Sequence, residues 1–397
     1  MIEPFQIDIP ESDLVDLGKR LSRLRLGSPP VGDVWESGVD YGYLGRLIDY
    51  WGEGFDWKAQ ERRLNEYGHN LATIDGQTVH YVHIEADRTR YETATPIVLT
   101  HGWPYSFNEF LEFAGRLSDP LNHGQSAEGA FDVVIPSLPG FCFSPRLKDA
   151  PFTGEVVATL WHQLMTEALG YERFATYGED VGAAVSDWLG ALFPQSVIGV
   201  FATHAAFPPE ERAQDLSEAE ENFRTWLADK WQTASGYAAI QSTRPDTLAV
   251  ALNDSPAGLL AWMVEKFVEW SGPEFESSWS RDDVLTTVSL YWFTGTIGTS
   301  FLDYYEGRRH SSPVPEVVVP VGVAVQWGER GFPREYAERT YTDLRYWADL
   351  PRGGHFTAKQ SPDLVASAMR EFFSSLGEGG GEGTAAEPRR RPRRPSS

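Results

Sequence analysis

The chain has 397 residues, enough for one large catalytic domain or two smaller ones, and its 41% hydrophobic and 23% charged residues exclude a mostly disordered polypeptide. Its 34 basic and 57 acidic side chains leave a formal charge of −23, a field that repels nucleic acid and anionic membrane, so neither is expected as a partner. The single cysteine, Cys142, excludes an intrachain disulfide and a cysteine-based metal site.

Residues 1–21 are acidic and interrupted by Pro10, without the basic and apolar stretches of a signal peptide. No run of about 18 or more apolar residues occurs. A soluble, cytoplasmic protein is the expectation. Residues 1–88 read as an accessory region. In it, Leu14, Leu17, Leu21 and Leu24 recur at helical spacing behind a capping Ser12 or Asp13, and a second helical stretch covers 43–51. Residues 71–74 and 79–83 flank an Asp75-Gly76 turn, which predicts a hairpin.

From residue 96 the pattern changes to short apolar runs alternating with helices: 97–99 leading to His101, 131–135 leading to Pro136, and 174–177 leading to Gly178. A further run, 317–325, comes after a long gap. Buried strands alternating with helices predict a doubly wound, mainly parallel α/β sheet, split into parts at 89–207 and 313–376. The segment between, 208–312, is helical and rich in Trp and Tyr, and is expected to form a lid. Residues 377–397 are Gly/Glu-rich and end in Arg389, Arg390, Arg391, Arg393 and Arg394, which predicts a disordered, solvated tail.

The segment Gly178-Glu179-Asp180-Val181-Gly182 has the form of a nucleophile elbow, Gly-x-nucleophile-x-Gly, with aspartate where ester hydrolases carry serine. Alone, Asp180 could equally be a helix cap. His101-Gly102-Trp103-Pro104 follows the first core strand, where this fold supplies one oxyanion-hole N–H, here that of Trp103; the other is that of Val181. His355, in Arg352-Gly353-Gly354-His355-Phe356, sits near the C-terminus as a catalytic base should. Of the other histidines, His101 and His204 read as satisfied core residues or loop braces. Glu329, Glu335 and Glu338 all lie where an acid orienting His355 belongs.

An ionised carboxylate needs no base to displace a leaving group at saturated carbon, and it becomes an alkyl ester in doing so. A His–acid pair then activates water against that ester. The chemistry suits epoxides and alkyl halides. An epoxide also needs a proton donor for its ring oxygen, whereas a halide needs a cradle of its own.

On these segments, together with Tyr50-Trp51, Phe55-Asp56-Trp57-Lys58, Ile135 through Phe141, Gly236-Tyr237 and Thr294-Gly295-Thr296-Ile297, the chain resembles the microsomal-type epoxide hydrolases from residue 5 to about 375. The resemblance implies an α/β-hydrolase fold with an N-terminal accessory region and a helical lid. It implies a small-molecule epoxide and water as reactants, no metal or organic cofactor, and a cytoplasmic, detoxifying hydrolase lacking the membrane anchor of some relatives; a homodimer is left open. It matches the relay acid to Glu335, in Phe332-Pro333-Arg334-Glu335, with Glu329 as the alternative. It matches two lid proton donors to Tyr237 and to Tyr304, with Tyr305 one register away. Val181 departs from a tryptophan at that place, and Glu179 from a smaller residue. A haloalkane or haloacid dehalogenase, or a catalytically silent ligand carrier on the same scaffold, are the competing readings.

Overall fold

In the computed structural model, which describes residues 1–29, 31, 35–125 and 129–378, a single nine-stranded sheet organises the chain. The strands are β1 (Ile2–Pro4), β2 (His69–Ile74), β3 (Gln77–Ile84), β4 (Thr95–Thr100), β5 (Phe131–Pro136), β6 (Phe174–Gly178), β7 (Val197–Ala202), β8 (Val321–Val325) and β9 (Leu344–Asp349). Their spatial order is β1-β2-β3-β5-β4-β6-β7-β8-β9. β1, β2, β3 and β5 pair antiparallel, and every pair from β5–β4 onward is parallel. β5, β6 and β8 are buried along their whole length, as strands covered on both faces by helices must be.

The chain runs from β4 to β5 on one side, then returns to place β6 on the other side of β4. That reversal is a topological switch point, where the loops leaving adjacent strands splay apart and open a crevice at their carboxyl ends. The loops after β4 and β6 therefore meet there. The loops after β7, β8 and β9 line the same end of the sheet.

Two sequence expectations are revised. The 71–83 hairpin, assigned to an accessory region, is built into the main sheet: β3 pairs with β5, which covers an edge that would otherwise be open. The run 317–325 is continuous strand only over β8, with Val317 making an isolated bridge to Tyr341. Pro320 lacks the N–H that ladder pairing needs, so the strand begins after it.

Helices α1 (Glu11–Leu21), α2 (Tyr41–Glu53) and α3 (Trp57–Leu64) precede the hairpin. α4 (Leu111–Ser118), α5 (Gly154–Gln163) and α6 (Val181–Leu192) flank the sheet. Between β7 and β8 run α7 (Glu218–Ala234), α8 (Gly236–Thr243), α9 (Pro245–Asp254), α10 (Pro256–Ser271), α11 (Phe275–Ser278), α12 (Arg281–Thr294) and α13 (Arg308–His310). Their starts are written locally: Ser217 with Glu220 and Ser280 with Asp283 form capping boxes, and Pro245 and Pro256 open α9 and α10. α14 (Arg334–Glu338), α15 (Thr357–Gln360) and α16 (Pro362–Glu378) complete the chain. α16 makes 377 and 378, the first two residues of the expected tail, helical; the rest of that tail, with its arginines, lies outside the described residues. Among the described residues no helix is long and apolar enough to cross a membrane.

The N-terminal helices brace the helices between β7 and β8. Trp51 of α2 is buried and donates from its indole N–H to Ser289 of α12 at 3.1 Å. Tyr50 donates to Asp282 at 2.7 Å, Arg20 of α1 to Asp254 of α9 at 2.9 Å, and Trp57 packs on Phe293 with ring centroids 5.0 Å apart. Truncation of Trp51 removes a large apolar volume between the two regions and leaves Ser289 without its donor. Trp51→Ala should cost about 3–5 kcal/mol in urea unfolding, and a loss below about 1 kcal/mol would mean that this contact does not hold the two regions together.

Candidate active site

Asp180 occupies the turn between β6 and α6 with φ 56° and ψ −124°, a left-handed conformation that costs a residue with a side chain about 1–3 kcal/mol. The turn is held by Gly182 N–H donating to Glu179 O at 2.8 Å and Ala183 N–H donating to Asp180 O at 3.0 Å. Gly182 lies so close to β4 that a Cβ there would overlap the Thr100 carbonyl. Only glycine lets helix and strand approach this closely.

The loop after β4 reaches the same carboxylate. Trp103 N–H donates to Asp180 Oδ1 at 3.0 Å, and Val181 N–H also bonds the carboxylate. A Cβ on Gly102 would collide with the Asp180 side chain, so this loop too must carry glycine at its closest approach. His101 is buried and neutral, its pKa pushed down to about 4 by burial. It accepts from Leu138 N–H at Nε2 and faces Gly102 O at 3.0 Å through Nδ1, so it braces the loop.

The other carboxylate oxygen, Oδ2, lies 3.4 Å from Nε2 of His355, which follows β9. Burial pushes the Asp180 carboxyl upward, but hydrogen bonding and charge attraction from His355, with the Val181 and Trp103 N–H groups, outweigh it and leave the pKa below its ordinary value. The carboxylate is thus ionised and oriented, with two backbone donors on it and Oδ2 facing His355. The His355 loop is tied to α10, since His355 N–H donates to Trp270 O at 3.0 Å and the Trp270 ring lies 4.8 Å from the imidazole.

Tyr237 of α8 and Tyr304, in a helical turn at Asp303–Gly307, approach Asp180 from the segment between β7 and β8. Tyr237 stacks on Trp103 with centroids 5.4 Å apart, Tyr304 meets both rings edge-on, and the two phenols share a hydrogen bond. Burial, then the Asp180 charge for Tyr237 and the neighbouring phenol for Tyr304, raises both pKa values, so both remain neutral donors. Tyr305 turns away beneath the Arg309 guanidinium, 3.7 Å from its ring. Between the adjacent tyrosines, the one beside Asp180 is Tyr304.

Glu335 is not brought to His355. It lies exposed on α14, accepting from the Ser217 hydroxyl at 3.2 Å. Glu329 ends the turn directly after β8, at the carboxyl end of the sheet, where Oε2 is buried without a partner. Burial pushes its carboxyl up to about 7, against the attraction of His355. Glu338 pairs with Arg334 on the outer surface of α14. The His355 Nδ1 atom faces His204 Nε2 at 3.2 Å. Sequence reasoning passed over His204, although its place just past the end of β7 was a signal. Trp270 had none, standing in a lid already full of tryptophan.

Comparison with known proteins places this geometry. Residues 2–110 match the family model described as epoxide hydrolase N terminus, and residues 95–252 match that of the alpha/beta hydrolase fold. The chain is 33% identical to epoxide hydrolase 1 of Sus scrofa over 94% of its own length and 89% of the relative's. It superposes on the crystal structure of juvenile hormone epoxide hydrolase from the silkworm Bombyx mori with a TM-score of 0.85 and 26% identity, covering 95% of each chain. The Aspergillus niger epoxide hydrolase structure gives a TM-score of 0.81 and 28% identity over 95% of this chain and 97% of that one. With an aspartate at its elbow and this likeness along nearly its whole length, the chain belongs to the epoxide hydrolase family of the α/β-hydrolase fold.

Proposed function

We propose that this enzyme converts epoxides to vicinal diols through a covalent alkyl ester of Asp180. The observation that carries the reading is the Asp180 carboxylate itself, bonded by the Trp103 N–H at Oδ1 and by the Val181 N–H, facing His355 through Oδ2, and covered by two neutral phenols.

In this reading the Tyr237 and Tyr304 hydroxyls grip the epoxide oxygen. Asp180 Oδ2 forms a bond to a ring carbon while the carbon–oxygen bond opposite it breaks, and one phenol passes its proton to the oxygen that leaves. Water then attacks Cγ of the ester, giving its proton to His355 Nε2, while Oδ1 takes the negative charge in the two-N–H hole. Collapse breaks the Cγ–Oδ2 bond, and His355 returns the proton to the departing alkoxide. The Asp180 carboxylic acid so formed gives its proton back to the tyrosinate, which restores the resting state. Paired donors suit an epoxide oxygen better than a halide. The aromatic surround of Trp103, Trp270 and Phe301 favours bulky apolar epoxides, and Val181, short beside the nucleophile, is the residue that should tune which ones are accepted.

We assign the acid that supports His355 to Glu329. Its position at the end of β8 and its buried, unpartnered oxygen support this over Glu335, which faces solvent. The cellular setting this reading assigns is cytoplasmic removal of reactive epoxides, by the protein alone or as a homodimer.

Two outcomes follow. His355→Gln mixed with styrene oxide should show the substrate's mass added at Asp180 and persisting, with little diol; diol at the wild-type rate, or no adduct, would contradict the mechanism. Glu329→Gln should slow ester hydrolysis by about 10²–10⁴-fold, whereas Glu335→Gln should change it by less than about twofold. The reverse ranking would return the role to Glu335. Ionised Glu329 is the form that stabilises an imidazolium, so wild-type ester hydrolysis should weaken as pH falls through about 7.

A further inference from the structure

His355 has its Nδ1 atom on a histidine, and behind that histidine the hydrogen bonding continues. His204 Nε2 lies 3.2 Å from His355 Nδ1, with the rings edge-to-face at 4.7 Å. His204 Nδ1 faces Thr203 Oγ1 at 3.4 Å, and Thr203 Oγ1 lies 3.2 Å from the Tyr177 hydroxyl. Tyr177 donates to Oε1 of Glu179, which also accepts from Ala358 N–H at 2.6 Å. His204, Thr203, Tyr177 and Glu179 are all buried.

The chain has one consistent polarity. In the ester, where Asp180 no longer offers a charge to a hydrogen on Nε2, His355 must keep Nε2 free to accept a proton from water and carry its hydrogen on Nδ1, which then donates to His204 Nε2. That places the His204 hydrogen on Nδ1, toward Thr203. Thr203 then donates to Tyr177, and Tyr177 to Glu179. His204, Thr203 and Tyr177 each donate once and accept once, and a carboxylate oxygen closes the series. Reversing it would put a hydrogen on His355 Nε2, the atom that must be bare. His204 can serve as acceptor because burial drives its pKa down to about 3 and keeps it neutral. Glu179 Oε1 accepts in either protonation state, because Oε2 is free to hold the proton. Glu179 also joins the nucleophile's turn to the α15 segment that follows His355.

We propose that His204 is a positioning residue for His355, and that the chain Thr203–Tyr177–Glu179 behind it selects the His355 tautomer that activates water. The proposal rests on the ester mechanism above and concerns only its second half, since alkylation of Asp180 does not use His355 as a base. Glu329 supplies charge near the imidazole; His204 supplies direction.

The test is single turnover of the full-length enzyme in excess over styrene oxide, following ester formation and decay by quenched-flow mass spectrometry. His204→Leu should form the ester within about twofold of the wild-type rate and hydrolyse it about ten- to a hundredfold more slowly, so that ester accumulates. His204→Gln, whose amide can accept from His355 and donate to Thr203, should recover most of the decay rate. Tyr177→Phe, nearly isosteric, should slow the same step by a smaller factor and serves as the test if His204→Leu fails to fold. Wild-type decay in His204→Leu and Tyr177→Phe would overturn the proposal, as would equal slowing of both steps. Absence of any ester in the wild type would instead overturn the mechanism on which it rests.

Discussion

The carboxylate of Asp180 is held from two sides, and the other features of the site follow from that grip. Its backbone is fixed in a left-handed turn between β6 and α6, and its Oδ1 atom is fixed against the Trp103 N–H from the neighbouring strand end. Both constraints arise at the switch point beside β4, where two loops leave the sheet in opposite directions. With Oδ1 committed to the Trp103 N–H, Oδ2 is the atom we assign to the chemistry. It is the one that faces His355.

The electrostatics sort the carboxyls by role. Asp180 lies below its ordinary pKa, whereas burial pushes Glu179, Glu329 and Asp303 to about 7. Burial raises those three, whereas His355 and two backbone N–H groups outweigh burial at Asp180. The nucleophile therefore carries its charge at neutral pH, while its neighbours titrate there. The two phenols, made harder to ionise by the same burial, complete a site with one strong anion and neutral donors above it.

The candidate site was legible in the sequence wherever local geometry announces itself. A strand, a tight turn and a helix mark Asp180; a strand end followed by Gly102-Trp103 marks the oxyanion loop; a Gly-rich loop late in the chain marks His355. The acid we assign to His355 was legible only as the alternative to Glu335. Phe332-Pro333-Arg334-Glu335 drew attention to an acid on the outward face of α14, while Glu329, six positions earlier, ends the turn that leaves β8 directly. Only the sheet shows which of the two points inward. His204 was hidden for a related reason: it follows β7 and His355 follows β9, and their contact across the end of β8 depends on strand order rather than on spacing. The accessory region was visible as helices and a hairpin, but its membership in the main sheet rests on the β3–β5 pairing, a contact between segments some 50 residues apart.

The central claim is that Asp180 becomes covalently joined to substrate before water enters. Single turnover of styrene oxide in ¹⁸O-labelled water, with enzyme in excess, reads this directly. The account predicts a diol whose new oxygen comes from Asp180 and is unlabelled, with ¹⁸O appearing in the Asp180 carboxylate. A diol carrying ¹⁸O from the first turnover, with no label in Asp180, would contradict it.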